Sequence, residues 1–236
     1  DISACLVGSE MCIRDSYLPM QLDFLGMTVR MQTLYMSWLA CILTIVIVWC
    51  ITSGSKMIPG RAQVALEMFF DALGGLIESN LGKEGREKLQ AFFFTLFLYL
   101  FVSNELGVFL PSIGVHFTSP TNDVNTVFAL SILVMVIAYI YGIGRNGIHY
   151  FGHFVKPYLP FLPLNLIEEI AKPVTLALRL FGNILAGEIL LIVLYKLCPW
   201  VIPDIWVLFS LFVGVLQAFV FTMLSIINIA PSFVKH

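Results

Sequence analysis

Charge is what this sequence has least of. Only 12% of its 236 residues are Asp, Glu, Lys or Arg, against roughly 25% in an ordinary soluble domain. Basic residues are not in surplus either: 13 Lys and Arg stand against 15 Asp and Glu, which argues against a nucleic-acid partner. The cysteines include no CxxC pair, and Cys41 and Cys50 fall inside an apolar stretch. They read as small apolar side chains rather than metal ligands or a disulfide framework. A phosphate loop, HExxH and GxSxG are also missing, so nothing points to a covalent reaction performed by this chain. His149 and His153 have i, i+4 spacing but no carboxylate or Cys neighbour. They read as interface residues, and no metal or cofactor is expected.

What is present is apolar. Fifty-nine per cent of residues are hydrophobic, 20 are Phe, and mean hydropathy is +0.92. A soluble fold of this size has too little interior for that surface. Disordered chains, disulfide scaffolds and ordinary cytosolic enzymes are therefore excluded. The apolar runs approach the 20 or so residues of a spanning helix, not the roughly 10 alternating residues of a barrel strand. An all-α integral membrane protein is expected.

Residues 1–16 fit nothing downstream and are expected to be an unassigned leader or a foreign piece. Residues 17–236 read as one membrane domain. A charge-free span covers about 32–51, with Trp38 and Trp49 toward its ends as interface anchors. Residues 59–80 carry Arg61, Gln63, Glu67, Asp71 and Glu78 against a stripe of Val64, Leu66, Met68, Phe69, Leu73, Leu76 and Ile77. That pattern predicts an amphipathic helix along the membrane surface, with Pro59 in its first turn. GKEGREK reads as a solvated turn. Further spans cover about 89–110 and 123–141, separated by a polar loop over Pro111–Asn125 and followed by a second one. Two long apolar segments, 163–197 and 205–233, close the chain. Both exceed the length needed to cross, so each must tilt, bend or protrude. Pro173 should kink the first.

With the surface helix placed on the cytoplasmic side, nine Lys and Arg fall there and three on the other side. The positive-inside rule then puts the N-terminus outside and the C-terminus in the cytoplasm.

Arg179 is the anomaly, a cation midway along VTLALRLFGNILAGEILLIVLY. It cannot shed its proton and must find an anion or a polar cavity. Glu188 is nine residues on, two and a half turns away on the opposite face, so an undeformed helix cannot pair them. A structural salt bridge to another helix stays open. Gly182, Asn183 and Ala186 share the arginine's face, and small residues let another helix approach. A carboxylate brought beside Arg179 would release its proton, and one moved into apolar surroundings would bind it. Polar residues that could line water paths lie on both sides. Glu188, Gln217, Asn104, Glu105, Asp123 and Asn125 lie toward the outside; Asn165, Glu168 and Glu169 lie toward the inside.

LRLFGNILAGE, together with NLIEEIAKPVTLALRLFGN, LQAFVFTMLSIIN, SNELGVFLP, SPTNDVNTVFALSI and PGRAQVALEMF in that chain's order, resembles the subunit a family of F-type ATP synthases over about residues 20–236. The resemblance implies a long, tilted helical hairpin against a rotating c-ring. It also implies peripheral-stalk b subunits, a catalytic head reached through the complex, and a place in the bacterial cytoplasmic membrane. By the same resemblance Arg179 faces the ring carboxylate, and Glu188, Asn183, Gln217, Asp123 and Asn125 serve an outer half-channel. The chain would then be a non-catalytic, ion-translocating subunit of a rotary motor. One position departs from the pattern: some relatives carry His seven residues before Gln217, where this chain has Ser210, whose hydroxyl cannot titrate near neutral pH. The competing readings are a stand-alone ion channel or secondary transporter, and a membrane scaffold.

Overall fold

The structure is a computed structural model, and it describes residues 21–24, 27–53, 61–112, 119–146, 162–198 and 202–233. Several expectations lie outside the described residues. These are the leader, Pro59 in a first turn, most of the loop after Pro111, all four histidines and the loop after Asn146. The side chain of Asn165 lies outside them too.

The protein is an all-α integral membrane fold, preceded by a small hairpin that the sequence reading did not anticipate. Strands β1 (Gln21–Phe24) and β2 (Met27–Arg30) pair antiparallel, Gln21 opposite Arg30 and Phe24 opposite Met27. The chain then enters α1 (Met31–Ser53) directly. Among the described residues, five helical stretches are long and apolar enough to cross a membrane.

On α1 only a narrow stripe is buried: Thr33, Met36, Ala40 and Thr44, spaced three to four apart. Most of the other described side chains of α1 are exposed and apolar, with Trp38 and Trp49 each 67% exposed and Ile45 68%. So large an exposed apolar surface is tolerable only where lipid is the solvent. Ser37 and Tyr99 share a 2.8 Å hydrogen bond that ties α1 to the next helix.

Helix α2 (Arg61–Ser112) is two arms reversed at Gly82, whose φ of 77° and ψ of 178° lie outside the helical region. The expected solvated turn over GKEGREK is thus a single residue. Lys83–Lys88 are already helical, braced by an i, i+4 ion pair between Lys88 and Glu84. The arms run antiparallel. Gln90 Nε2 donates to the Phe70 carbonyl at 2.8 Å, Arg86 reaches Glu78 at 2.9 Å and Asp71 at 3.5 Å, and Phe70 meets Phe94 edge-on. Leu73, Ile77 and Leu81 of the first arm are buried among Leu89, Phe93 and Leu100 of the second. Val64 and Met68, counted in the apolar stripe, face outward instead, Met68 at 67% exposure.

A short 3-10 turn, Pro120–Asn122, leads into α3 (Val124–Asn146). Ser119 caps the turn, accepting from the Thr121 N–H at 3.2 Å, and Pro120 occupies its first position. Asp123 in turn accepts from the Asn125 N–H at 3.0 Å and so opens α3. Helix α4 (Leu162–Leu197) packs on α3, and α5 (Ile202–Ile229) packs on the second arm of α2 and on α4. Pro173 stays inside α4; its carbonyl accepts from Ser131 of α3 at 2.7 Å.

Candidate functional site

Helix α4 sorts its residues by face. Leu176, Ala177 and Leu180 point inward and are almost fully buried. Thr175, Arg179, Gly182 and Ala186 fall on the open side, one turn apart. Arg179 is exposed, and among the described residues no carboxylate pairs with it. An added Cβ at Gly182 would touch nothing within 4 Å. The arginine thus sits on a smooth, small-residue surface with room for another helix. Asn183, expected on the same face, is half-buried at its edge.

Glu188 points elsewhere. Its carboxylate accepts a hydrogen bond from the Asn122 side-chain amide, on the 3-10 turn ahead of α3. Arg179 and Glu188 are therefore separated by direction as well as by about 13 Å along the helix. Asn122 did not figure among the expected site residues. Its signal was the SPTN cap sequence, which marks an ordered turn where the reading expected a loose loop.

That turn is the hub of a polar network between α2, α4 and α5. Thr121 is fully buried and donates to Asn104 Oδ1 at 3.1 Å; Asn104 Nδ2 donates to the Gly214 carbonyl of α5 at 3.2 Å. Ser119 donates to the Ser103 carbonyl at 2.9 Å. Glu105 lies against Gly214, where an added Cβ would be 3.0 Å from its Oε1. Ser210 faces Gly187, its hydroxyl 3.9 Å from where a Cβ there would be, and Trp206 Nε1 donates to the Gly187 carbonyl at 3.2 Å. Among the described residues, Glu105 Oε1, Asn122 Oδ1 and Gln217 Nε2 are buried with no hydrogen-bond partner. Buried polar atoms are rarely left so unless water reaches them.

The expected outer residues therefore divide. Glu188, Glu105, Ser210 and Gln217 border one seam. Asp123 is occupied in capping α3, and Asn125 is exposed. At the opposite end of α4, Glu168 is exposed, while Glu169 is held by Lys172 at 2.8 Å and by the Tyr139 hydroxyl at 3.2 Å. Among the described residues no cluster of His, Cys, Asp and Glu could hold a metal ion.

Comparison with known proteins gives one consistent answer. The family model described as ATP synthase A chain matches residues 34–230. The chain is 37% identical to the ATP synthase subunit a of Desulforamulus reducens over 222 residues, 90% of this chain and 82% of that relative. It is 37% identical to the subunit a of Moorella thermoacetica over 214 residues, 90% of this chain and 95% of that one. Against the subunit a of Acidothermus cellulolyticus the identity is 35% over 215 residues, 88% of this chain and 78% of the relative.

Proposed function

The chain belongs to the ATP synthase A chain family, and from that premise we propose that it couples transmembrane proton flow to rotation of a c-ring in the Fo sector. The observation that carries this reading is Arg179, exposed at mid-helix with no described partner. A cation at the bilayer centre costs about 2.5–3.5 kcal/mol even on insertion scales. A second protein that brings an acid to that face would offset this cost. A ring carboxylate passing Arg179 is held ionised and cannot carry its proton further. Once past, in apolar surroundings, it takes up a proton from one side or has released one to the other. The fixed positive charge also keeps protons from crossing directly between the two water paths.

The outer path runs through Glu188, Ser210, Glu105, Gln217 and Asn183, with Asp123 and Asn125 at its mouth. The unpartnered buried atoms at the α2–α4–α5 seam support it. The inner path runs through Asn165, Glu168 and Glu169. Peripheral-stalk b subunits would hold the chain still while the ring turns and drives the catalytic head. Each 100 mV supplies about 2.3 kcal/mol per proton. In this reading the N-terminus is outside the bacterial cytoplasmic membrane and the C-terminus in the cytoplasm, the orientation that the positive-inside rule favours when the 59–80 helix lies at the inner face.

The test is Arg179→Ala in the assembled complex, in inverted membrane vesicles. Loss of ATP-driven proton pumping with the complex intact is expected; unchanged coupled pumping would refute the assignment. A lone oligomer of this chain that conducts ions without a ring would favour the channel reading instead.

A further inference from the structure

We propose that Glu105 is a second proton-carrying group of the outer path, working in series with Glu188, and that Gly214 is the notch that admits it. The proposal rests on the path reading above and deepens it. On α5 the position facing Gly187, next to Glu188, is Ser210, and a hydroxyl does not titrate near neutral pH. A second carboxyl, that of Glu105 on the second arm of α2, is turned toward α5. It lies against Gly214, one turn along α5 from Ser210 and about 6 Å nearer the depth of Arg179.

Three observations place it there. An added Cβ at Gly214 would sit 3.0 Å from Glu105 Oε1, tighter than side chains normally approach, so a side chain there would displace the carboxyl by a few tenths of an ångström. Asn104, next in sequence, donates to the Gly214 carbonyl at 3.2 Å and fixes this stretch of α2 against α5. Asn104 also accepts from Thr121, whose neighbour Asn122 donates to Glu188, so one short turn contacts Glu188 and the residue beside Glu105. Glu105 Oε1 is buried and, among the described residues, has no hydrogen-bond partner. It is therefore available to a bridging water.

In the inward direction, protonated Glu188 gives its proton to a bridging water, which passes one of its own to the Glu105 carboxylate. One O–H bond breaks for each that forms, and Glu188 returns to carboxylate. Glu105 then hands the proton on past Gln217 to the ring acid. No oxidant or reductant takes part.

The test uses the assembled complex in proteoliposomes, with passive proton flux under an imposed potential read by a pH-sensitive dye and assembly checked on native gels. Glu105→Gln should lower flux about tenfold or more with assembly intact. Adding Ser210→His to Glu105→Gln should restore much of that flux, because it returns a titratable group to the seam. A purely structural role would not be rescued this way. Should Glu105→Gln fail to assemble, Gly214→Ala carries the test: it keeps the carboxyl but displaces it, and flux should fall. Normal flux in Glu105→Gln or in Gly214→Ala, or loss of flux that Ser210→His does not relieve, overturns the proposal. Those outcomes leave the broader reading standing as long as Arg179→Ala still abolishes pumping.

Discussion

The side-chain amide of Asn122 donates a hydrogen bond to the carboxylate of Glu188, across 66 positions of sequence. It joins the turn before α3 to the C-terminal half of α4. Removing the amide leaves a partly buried carboxylate short of a donor, a loss of about 1–3 kcal/mol. Asn122→Ala should therefore slow proton flux about five- to tenfold, equivalent to about 1–1.4 kcal/mol on the barrier. Asn122→Asp should be worse, since it sets a second acid against the first. Flux in proteoliposomes checks both, and an Asn122→Ala rate equal to wild type would remove the residue from the path.

This contact marks where the sequence stops being legible. The spans follow from hydropathy because lipid demands apolar helices of fixed length. Arg179 and Glu188 stand out because charge is scarce there. That they diverge follows from helical periodicity alone. Asn122 and Thr121 were hidden because a polar turn looks the same in sequence whether it is solvated or buried between helices. Only the packing of α2 against α5 turns SPTN into a hub. The Gly82 reversal was blurred for a related reason: charged GKEGREK reads as loop, yet its last six residues coil as helix once the first glycine has turned the chain.

Two adjacent acids at the other end of α4 should behave differently. Glu168 is exposed, whereas Glu169 is tied to Lys172 and Tyr139. The ion pair is less than a third exposed, at 26% and 18% for the two side chains, so it lies between surface and buried pairs in strength. Lys172→Met leaves Glu169 with only the tyrosine and should lower the melting temperature of the complex. Glu168→Gln should slow inward proton release while leaving the melt unchanged. Equal effects of Glu168→Gln and Glu169→Gln on flux would contradict this division of roles.

Trp206 supplies a clean single-atom test at the α4–α5 contact. Its indole N–H donates to the Gly187 carbonyl, immediately before Glu188. Trp206→Phe keeps most of the ring's bulk and deletes the donor, at about 0.5–1.5 kcal/mol for a hydrogen bond of this kind. We expect a modest loss of flux with intact assembly. Trp206→Ala, which also opens a void, should impair assembly itself on native gels.

The last prediction separates backbone strain from packing. Gly82 has a φ of 77° and a ψ of 178°, a combination essentially confined to glycine, and a side chain forced into it costs about 1–3 kcal/mol. An added Cβ would meet nothing within 4 Å, so steric crowding contributes nothing to that penalty. Gly75 supplies the control. It is exposed within the helical first arm, and an added Cβ there is equally unopposed. In a helical backbone Ala is better than Gly by about 0.8–1.0 kcal/mol. Gly82→Ala should thus lower the melting temperature of the purified complex, while Gly75→Ala should hold or raise it. The antiparallel contacts from Phe70 to Gln90 and from Glu78 to Arg86 depend on the reversal. If both variants melted alike, the arms would be held together by those contacts alone, and the glycine turn would be dispensable.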